Sequence, residues 1–155
     1  MLHFAYGSNM HRAVMRKHAP AAVPIGVARL MNHRFVITAD GYASVEPMRA
    51  ETVHGVLWRL TPRDRVGLDA WESIASGSYR AATLPVQRAG RRQMALVYVA
   101  RPRGIGSPKS GYMELVVAAA QDWKLPPAYI AALQQWLPAR PVGAGMRKLG
   151  EFGWT

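Results

Sequence analysis

The chain has 155 residues, 50% of them hydrophobic and 19% charged, which fits one globular domain and excludes a disordered chain. It has no cysteine, so disulfides, thiolate catalysis and cysteine-held zinc are excluded, and no apolar run approaches the ~18 residues of a membrane helix. The net charge is +11, from 20 Lys and Arg against 9 Asp and Glu, and this raises the question of an anionic partner.

Residues 2–6 read as a strand that stops abruptly at Gly7-Ser8-Asn9, and residues 10–17 as a short helix. A strand that turns directly into a helix leaves backbone N–H groups pointing out of the turn, where they suit carboxylates and developing oxyanions. Gly7 lets the backbone approach a ligand, and Ser8 or Asn9 can cap the helix. Spacing alone leaves two readings open: a plain capped turn, or a ligand site built on the same donors.

Residues 26–38 form a long apolar stretch, predicted as a strand bent near Asn32, and Asp40-Gly41 signals a turn. Short strands are expected over 43–46 and 53–60. In the second, Val53, Gly55, Leu57 and Arg59 face one way and His54, Val56, Trp58 and Leu60 the other. Thr61 as N-cap, Pro62 and Asp64 then open a helix that runs to about Glu72. Residues 73–78 are a loop. Strands 79–87 and 94–100 make a hairpin around Gly90. A linker over 101–110 leads to an amphipathic helix at 111–123, and Pro126-Pro127 opens another that ends near 137. The expected fold class is α+β: one domain over 1–155, a mixed sheet or small barrel with short flanking helices, its core over 1–137 and a Gly- and Pro-containing tail over 138–155.

Sixteen of the 20 basic residues are arginine, scattered from Arg12 to Arg147, with the densest cluster at Arg88, Arg91 and Arg92. There is no basic helix, no aromatic-basic strand and no zinc-finger spacing, so no specific nucleic-acid partner is expected. Scattered charge gives non-specific attraction only. The five histidines show no ligand spacing, so no metal is expected. The N-terminus has no basic segment ahead of an apolar stretch, so neither a signal peptide nor a membrane anchor is expected, and the location expected is cytoplasmic.

Among the carboxylates, Glu72 has an unusual placement. It lies four residues after Leu68, on the same helix face, and near a helix C-terminus, where negative charge is disfavoured. Both burial and the dipole raise a carboxyl pKa, which suits a general acid/base near neutrality. A surface residue at a fraying helix end fits the same spacing. Tyr79, Tyr98 and Tyr112 follow in the hairpin and the next helix, where tyrosines serve either a core or a pocket.

Six short motifs occur in one order: Phe4-Ala5-Tyr6-Gly7-Ser8-Asn9, Val53-His54-Gly55-Val56-Leu57-Trp58, Leu68-Asp69-x-x-Glu72, Gly77-x-Tyr79, Pro108-x-Ser110-x-Tyr112 and Leu125-Pro126-Pro127-x-Tyr129. Together they resemble the γ-glutamyl cyclotransferase family over residues 2–137. The resemblance implies a barrel-like α+β fold and a cofactor-independent reaction. In it the α-amino group of a small γ-glutamyl substrate attacks its own γ-carbonyl, releasing 5-oxoproline and an amine or amino acid. It implies Glu72 as general acid/base and Tyr6, Gly7, Ser8 and Asn9 as the substrate loop. Tyr112 and Tyr79 are implied as further binding residues, with Tyr98 near them. Ser73 stands where many relatives have glycine, and this bears on which leaving group fits. Two other classes compete: a non-catalytic binding module for a small acidic ligand, and a basic nucleic-acid-binding protein.

Overall fold

The computed structural model describes residues 1–74 and 77–138. Five strands close into a barrel in the order β1-β3-β2-β4-β5. They are β1 (Leu2–Ala5), β2 (Val23–Ile37), β3 (Ala43–Arg59), β4 (Tyr79–Arg88) and β5 (Arg91–Ala100). The ladders are antiparallel except where β1 meets β5, through His3 opposite Leu96. Around the barrel lie α1 (Arg12–His18), α2 (Pro62–Trp71), α3 (Tyr112–Asp122) and α4 (Pro127–Gln134). No helix among the described residues is long and apolar enough to cross a membrane. The tail expected from 138 falls, from 139 on, outside the described residues.

Phe4, Leu30, Ile37, Val53, Val56, Leu57, Leu68 and Met113 are fully buried. Each large side chain taken from water stabilises the fold by about 1.5–3 kcal/mol. Gly55 makes room for one of them: a Cβ there would lie 2.8 Å from the Phe4 ring and 2.3 Å from the Ala5 carbonyl oxygen. The strand therefore needs glycine where β1 crosses it closely.

The two strands expected over 43–46 and 53–60 are one element, β3. Met31 pairs with Thr52 and His33 with Pro47, so Asn32 alone faces residues 48–51 in a wide bulge. Asn32 has φ 56° and Ala50 φ 66°, and Asn32 Oδ1 accepts the Ala50 amide at 3.1 Å. The bend expected at Asn32 is there, because asparagine tolerates the left-handed region and its side chain satisfies the displaced backbone.

The first helix also differs from expectation. Ser8–Met10 is a single 3-10 turn, closed by the Met10 amide on Gly7 O at 3.1 Å and the His11 amide on Ser8 O at 3.0 Å. The α-helix begins only at Arg12, and its cap is His11, whose Nδ1 accepts the Ala13 amide at 3.2 Å. Neither Ser8 nor Asn9 is the cap. The extra turn separates them from the helix and leaves them at the cleft.

The helix α2 starts as its sequence predicts. Thr61 Oγ1 accepts the Asp64 amide at 3.1 Å and Asp64 Oδ2 accepts the Thr61 amide at 3.0 Å, a reciprocal capping box. Asp64 Oδ1 also accepts the Ala21 amide at 3.1 Å and so ties the β2 approach to the same cap. Gly67 lets α2 meet the end of α1 backbone to backbone; a Cβ there would lie 2.1 Å from the His18 carbonyl oxygen. These contacts fix where α2 starts and how it packs on α1, and so orient the helix that carries Glu72 at its end.

Candidate active site

The strand pairings put the C-terminal ends of β1, β2 and β5 and the N-terminal ends of β3 and β4 at one rim of the barrel. A cleft of about 350 Å³ opens there. It is lined by the Tyr6–Asn9 turn, by Glu72 after α2, by Tyr79 and Tyr98 from the hairpin and by Tyr112 from α3. Every site residue singled out in the sequence lines this one cleft.

Glu72 terminates α2, with its amide on Leu68 O at 2.8 Å, so the chain turns out of the helix at that residue. Its side chain reaches the β1 turn, where Asn9 Nδ2 donates to Glu72 Oε1 at 3.0 Å. Burial of the carboxyl raises its pKa to about 7, against the opposing pull of the Asn9 hydrogen bond. The burial expected from the Leu68 spacing is real: Leu68 is fully buried and Glu72 partly so, facing the cleft. Asn9 is buried, and among the described residues its Oδ1 has no hydrogen-bond partner. With the Met10 and His11 amides closing the 3-10 turn, the Ser8 amide bonds the Tyr112 hydroxyl, and no backbone carbonyl among the described residues takes the Asn9 amide.

The tyrosines form the walls, and the hydroxyls of Tyr6, Tyr79 and Tyr112 hold backbone. Tyr79 donates to Ala43 O at 2.6 Å, while Tyr112 Oη accepts the Ala43 amide at 3.2 Å. The two side chains thus grip both sides of one residue at the start of β3. Tyr6 donates to Tyr98 O, and Tyr98 donates to Asp69 Oδ1 at 2.7 Å, an oxygen that also accepts Arg65 Nε at 2.9 Å. Gly7 is required by this packing, because a Cβ there would lie 2.8 Å from Tyr112 Oη. Burial pushes all four tyrosines above their ordinary range, and the Glu72 charge adds to the rise. They remain neutral hydroxyls at working pH, while Glu72 titrates near neutrality.

Sequence reasoning missed three contributors. His3 is buried in the cleft wall, donating Nδ1–H to Leu96 O at 3.0 Å, and burial lowers its pKa to about 4. Its Nε2 is buried with no partner among the described residues. Trp71 lines the cleft and stacks on His18 at a ring distance of 3.9 Å. Arg103, read in the sequence as one more scattered arginine, lies at the cleft with Asp40. Trp71 comes with Glu72 as its neighbour at the end of α2, whereas the pairing of β1 with β5 brings in His3 and the return of the 101–106 linker brings in Arg103, and no local spacing encodes either event.

A model of the AIG2-like family matches residues 52–133. A mouse protein named gamma-glutamylcyclotransferase is 27% identical over 139 residues, covering 83% of this chain and 74% of its own. A human protein of the same name is 24% identical over 139 residues. A solved gamma-glutamyl cyclotransferase superposes with a TM-score of 0.84 at 23% identity, covering 93% of this chain and 92% of that one. An uncharacterized human protein superposes with a TM-score of 0.84 at 24% identity, covering 97% of this chain and 93% of its own. The barrel with its flanking helices is the fold of these structures.

Proposed function

The chain belongs to the AIG2-like family, and on that premise we propose that it is a γ-glutamyl cyclotransferase with Glu72 as its general acid/base. Its chief support is the meeting of Glu72 and Asn9 in the rim cleft, with a carboxyl whose pKa is raised to about 7. Kinship with proteins named for this activity agrees with it.

The reaction is an intramolecular aminolysis, so holding one folded conformer of the substrate supplies much of the rate. The α-ammonium of the γ-glutamyl group gives a proton to the Glu72 carboxylate. The freed amine forms a C–N bond to the γ-carbonyl carbon, and the carbonyl electron pair moves onto oxygen. As the oxyanion collapses, the original amide C–N bond breaks and Glu72 returns its proton to the leaving nitrogen. Glu72 then takes the second proton from the new ring nitrogen and passes it to the released amine. Both protons shed by the attacking nitrogen thus end on the leaving one, the products are 5-oxoproline and an ammonium compound, and no water is consumed. A carboxyl titrating near neutrality is matched to both transfers.

The Asn9 amide supplies a donor for the substrate's α-carboxylate or for the oxyanion, beside the Ser8 amide, which bonds the Tyr112 hydroxyl. Tyr6, Tyr79 and Tyr112 wall the cleft, and Gly7 gives the room in which Tyr112 closes on the turn. The test is a panel of γ-glutamyl amino acids, γ-glutamyl amines and glutathione, with released 5-oxoproline measured by chromatography. Release from at least one member is expected. Release from none overturns the activity.

A further inference from the structure

The cleft is graded in exposure and charge. At its floor Tyr6, Asn9 and Tyr112 are each about nineteen parts in twenty buried, at 6%, 5% and 5% exposure. At its rim the side chains of Arg103 and Asp40 are 52% and 55% exposed. Among the described residues that line it, Arg103 is the one lysine or arginine, and the carboxylates are Asp40 and Glu72. Catalysis at Glu72 needs the scissile amide beside that carboxylate. The glutamyl group then fills the buried floor and the leaving group extends toward the rim.

Arg103 is held there by its backbone. The Ala39 amide donates to Gly104 O at 3.1 Å and the Gly106 amide to Ile37 O at 2.9 Å, with Thr38 bridged to Ile105. Gly106 permits this approach, since a Cβ there would lie 2.6 Å from the Thr38 carbonyl oxygen. The linker is thus zipped onto the turn that carries Asp40. Arg103 Nη1 lies 3.5 Å from Asp40 Oδ2, a long single contact. A guanidinium has five N–H donors in a fixed fork, so this contact orients the group and leaves donors for a second carboxylate.

We propose that Arg103 sets substrate choice by binding a carboxylate on the leaving group, so that the substrates are γ-glutamyl α-amino acids rather than γ-glutamyl amines. This rests on the cyclotransferase reading above. Asp40 acts as the positioning residue: it aims the guanidinium and repels leaving groups whose carboxylate misses the fork.

The test compares γ-glutamyl-alanine with γ-glutamyl-ethylamine, which differ only in that carboxylate. Wild type should prefer the alanine compound in kcat/KM by about ten-fold, the size of a charge-assisted hydrogen bond discounted for exposure. Arg103→Gln should bring the ratio close to one and leave the ethylamine compound unaffected. Arg91→Gln, on the β4–β5 hairpin, should keep the wild-type ratio and so excludes a general effect of the basic surface. Calorimetric Kd values of both compounds on Glu72→Gln, with and without Arg103→Gln, read the same contact without turnover. A wild-type ratio near one, or equal loss on both compounds in Arg103→Gln, overturns the proposal. No 5-oxoproline from these two compounds or from any member of the panel above overturns the cyclotransferase reading instead, and the Kd ratio still decides the role of Arg103.

Discussion

Asn9 Nδ2 donates to Glu72 Oε1 at 3.0 Å, joining the turn after the first strand to a helix terminus 63 positions later. The contact sets two things at once. It orients the carboxylate, and it favours the ionised form against the burial that disfavours it.

Removing the donor should therefore raise the Glu72 pKa further. In Asn9→Ala the acid limb of the kcat/KM profile should move above its wild-type position near pH 7, and activity at pH 7 should fall. A pH–rate profile for both proteins on one γ-glutamyl substrate checks this. An unmoved limb with reduced activity would mean that Asn9 binds substrate without tuning Glu72.

Glu72 should cost stability where it is ionised. Its pKa rises from 4.5 to about 7 on folding, so the folded state holds the extra proton between those values. Stability then falls as pH rises through that interval and stays reduced above it, by on the order of 2 kcal/mol after a discount for partial exposure. Glu72→Gln has no such penalty. At pH 8 its Tm should exceed wild type by roughly 4–8 °C, and at pH 4.5 the two should nearly coincide. Scanning calorimetry at both pH values measures the difference.

His3 should act in the opposite direction over nearly the same pH range. Burial lowers its pKa from 6.5 to about 4, so the unfolded state binds the proton first as pH falls. The stability held by neutral His3 is complete above pH 6.5 and declines toward pH 4, by about 3 kcal/mol in all. Urea midpoints from pH 7 to 4 should show a slope in wild type that is reduced in His3→Gln. Parallel slopes would place the acid sensitivity elsewhere.

Gly7 and Tyr112 should be energetically coupled. A Cβ on residue 7 meets Tyr112 Oη at 2.8 Å, so Gly7→Ala should destabilise by about 1–3 kcal/mol through overpacking. Tyr112→Phe removes the acceptor of the Ala43 amide and should cost about 1–2 kcal/mol. In the double variant the clashing oxygen is gone, so the combined loss should fall short of the sum. Denaturant unfolding of the four proteins gives the coupling, and strict additivity would contradict the packing described.

What the sequence carried plainly was local. The Thr61–Asp64 capping box and the Gly90 hairpin each rest on residues within a few positions of one another, and the bend at Asn32 was marked by asparagine itself; each stands as expected. The inward face of Glu72 followed from its spacing to Leu68. The merging of two expected strands into β3 was hidden, because the bulge depends on Asn32 of a different strand reaching the Ala50 amide. His11 displaced Ser8 and Asn9 as cap because a 3-10 turn intervened, and propensity does not distinguish that turn from a first α-turn. Arg103 and His3 reach the cleft only through long-range pairing, so their chemistry was invisible until the barrel closed.

The central claim is that Glu72 moves the protons of a γ-glutamyl cyclisation. It is tested most directly by kcat for 5-oxoproline release in wild type and Glu72→Gln, with the fold of the variant checked by its Tm. The account predicts a loss of at least about 100-fold in a variant that folds as well as wild type, the scale of losing a positioned acid/base. Equal turnover by the two proteins would contradict it.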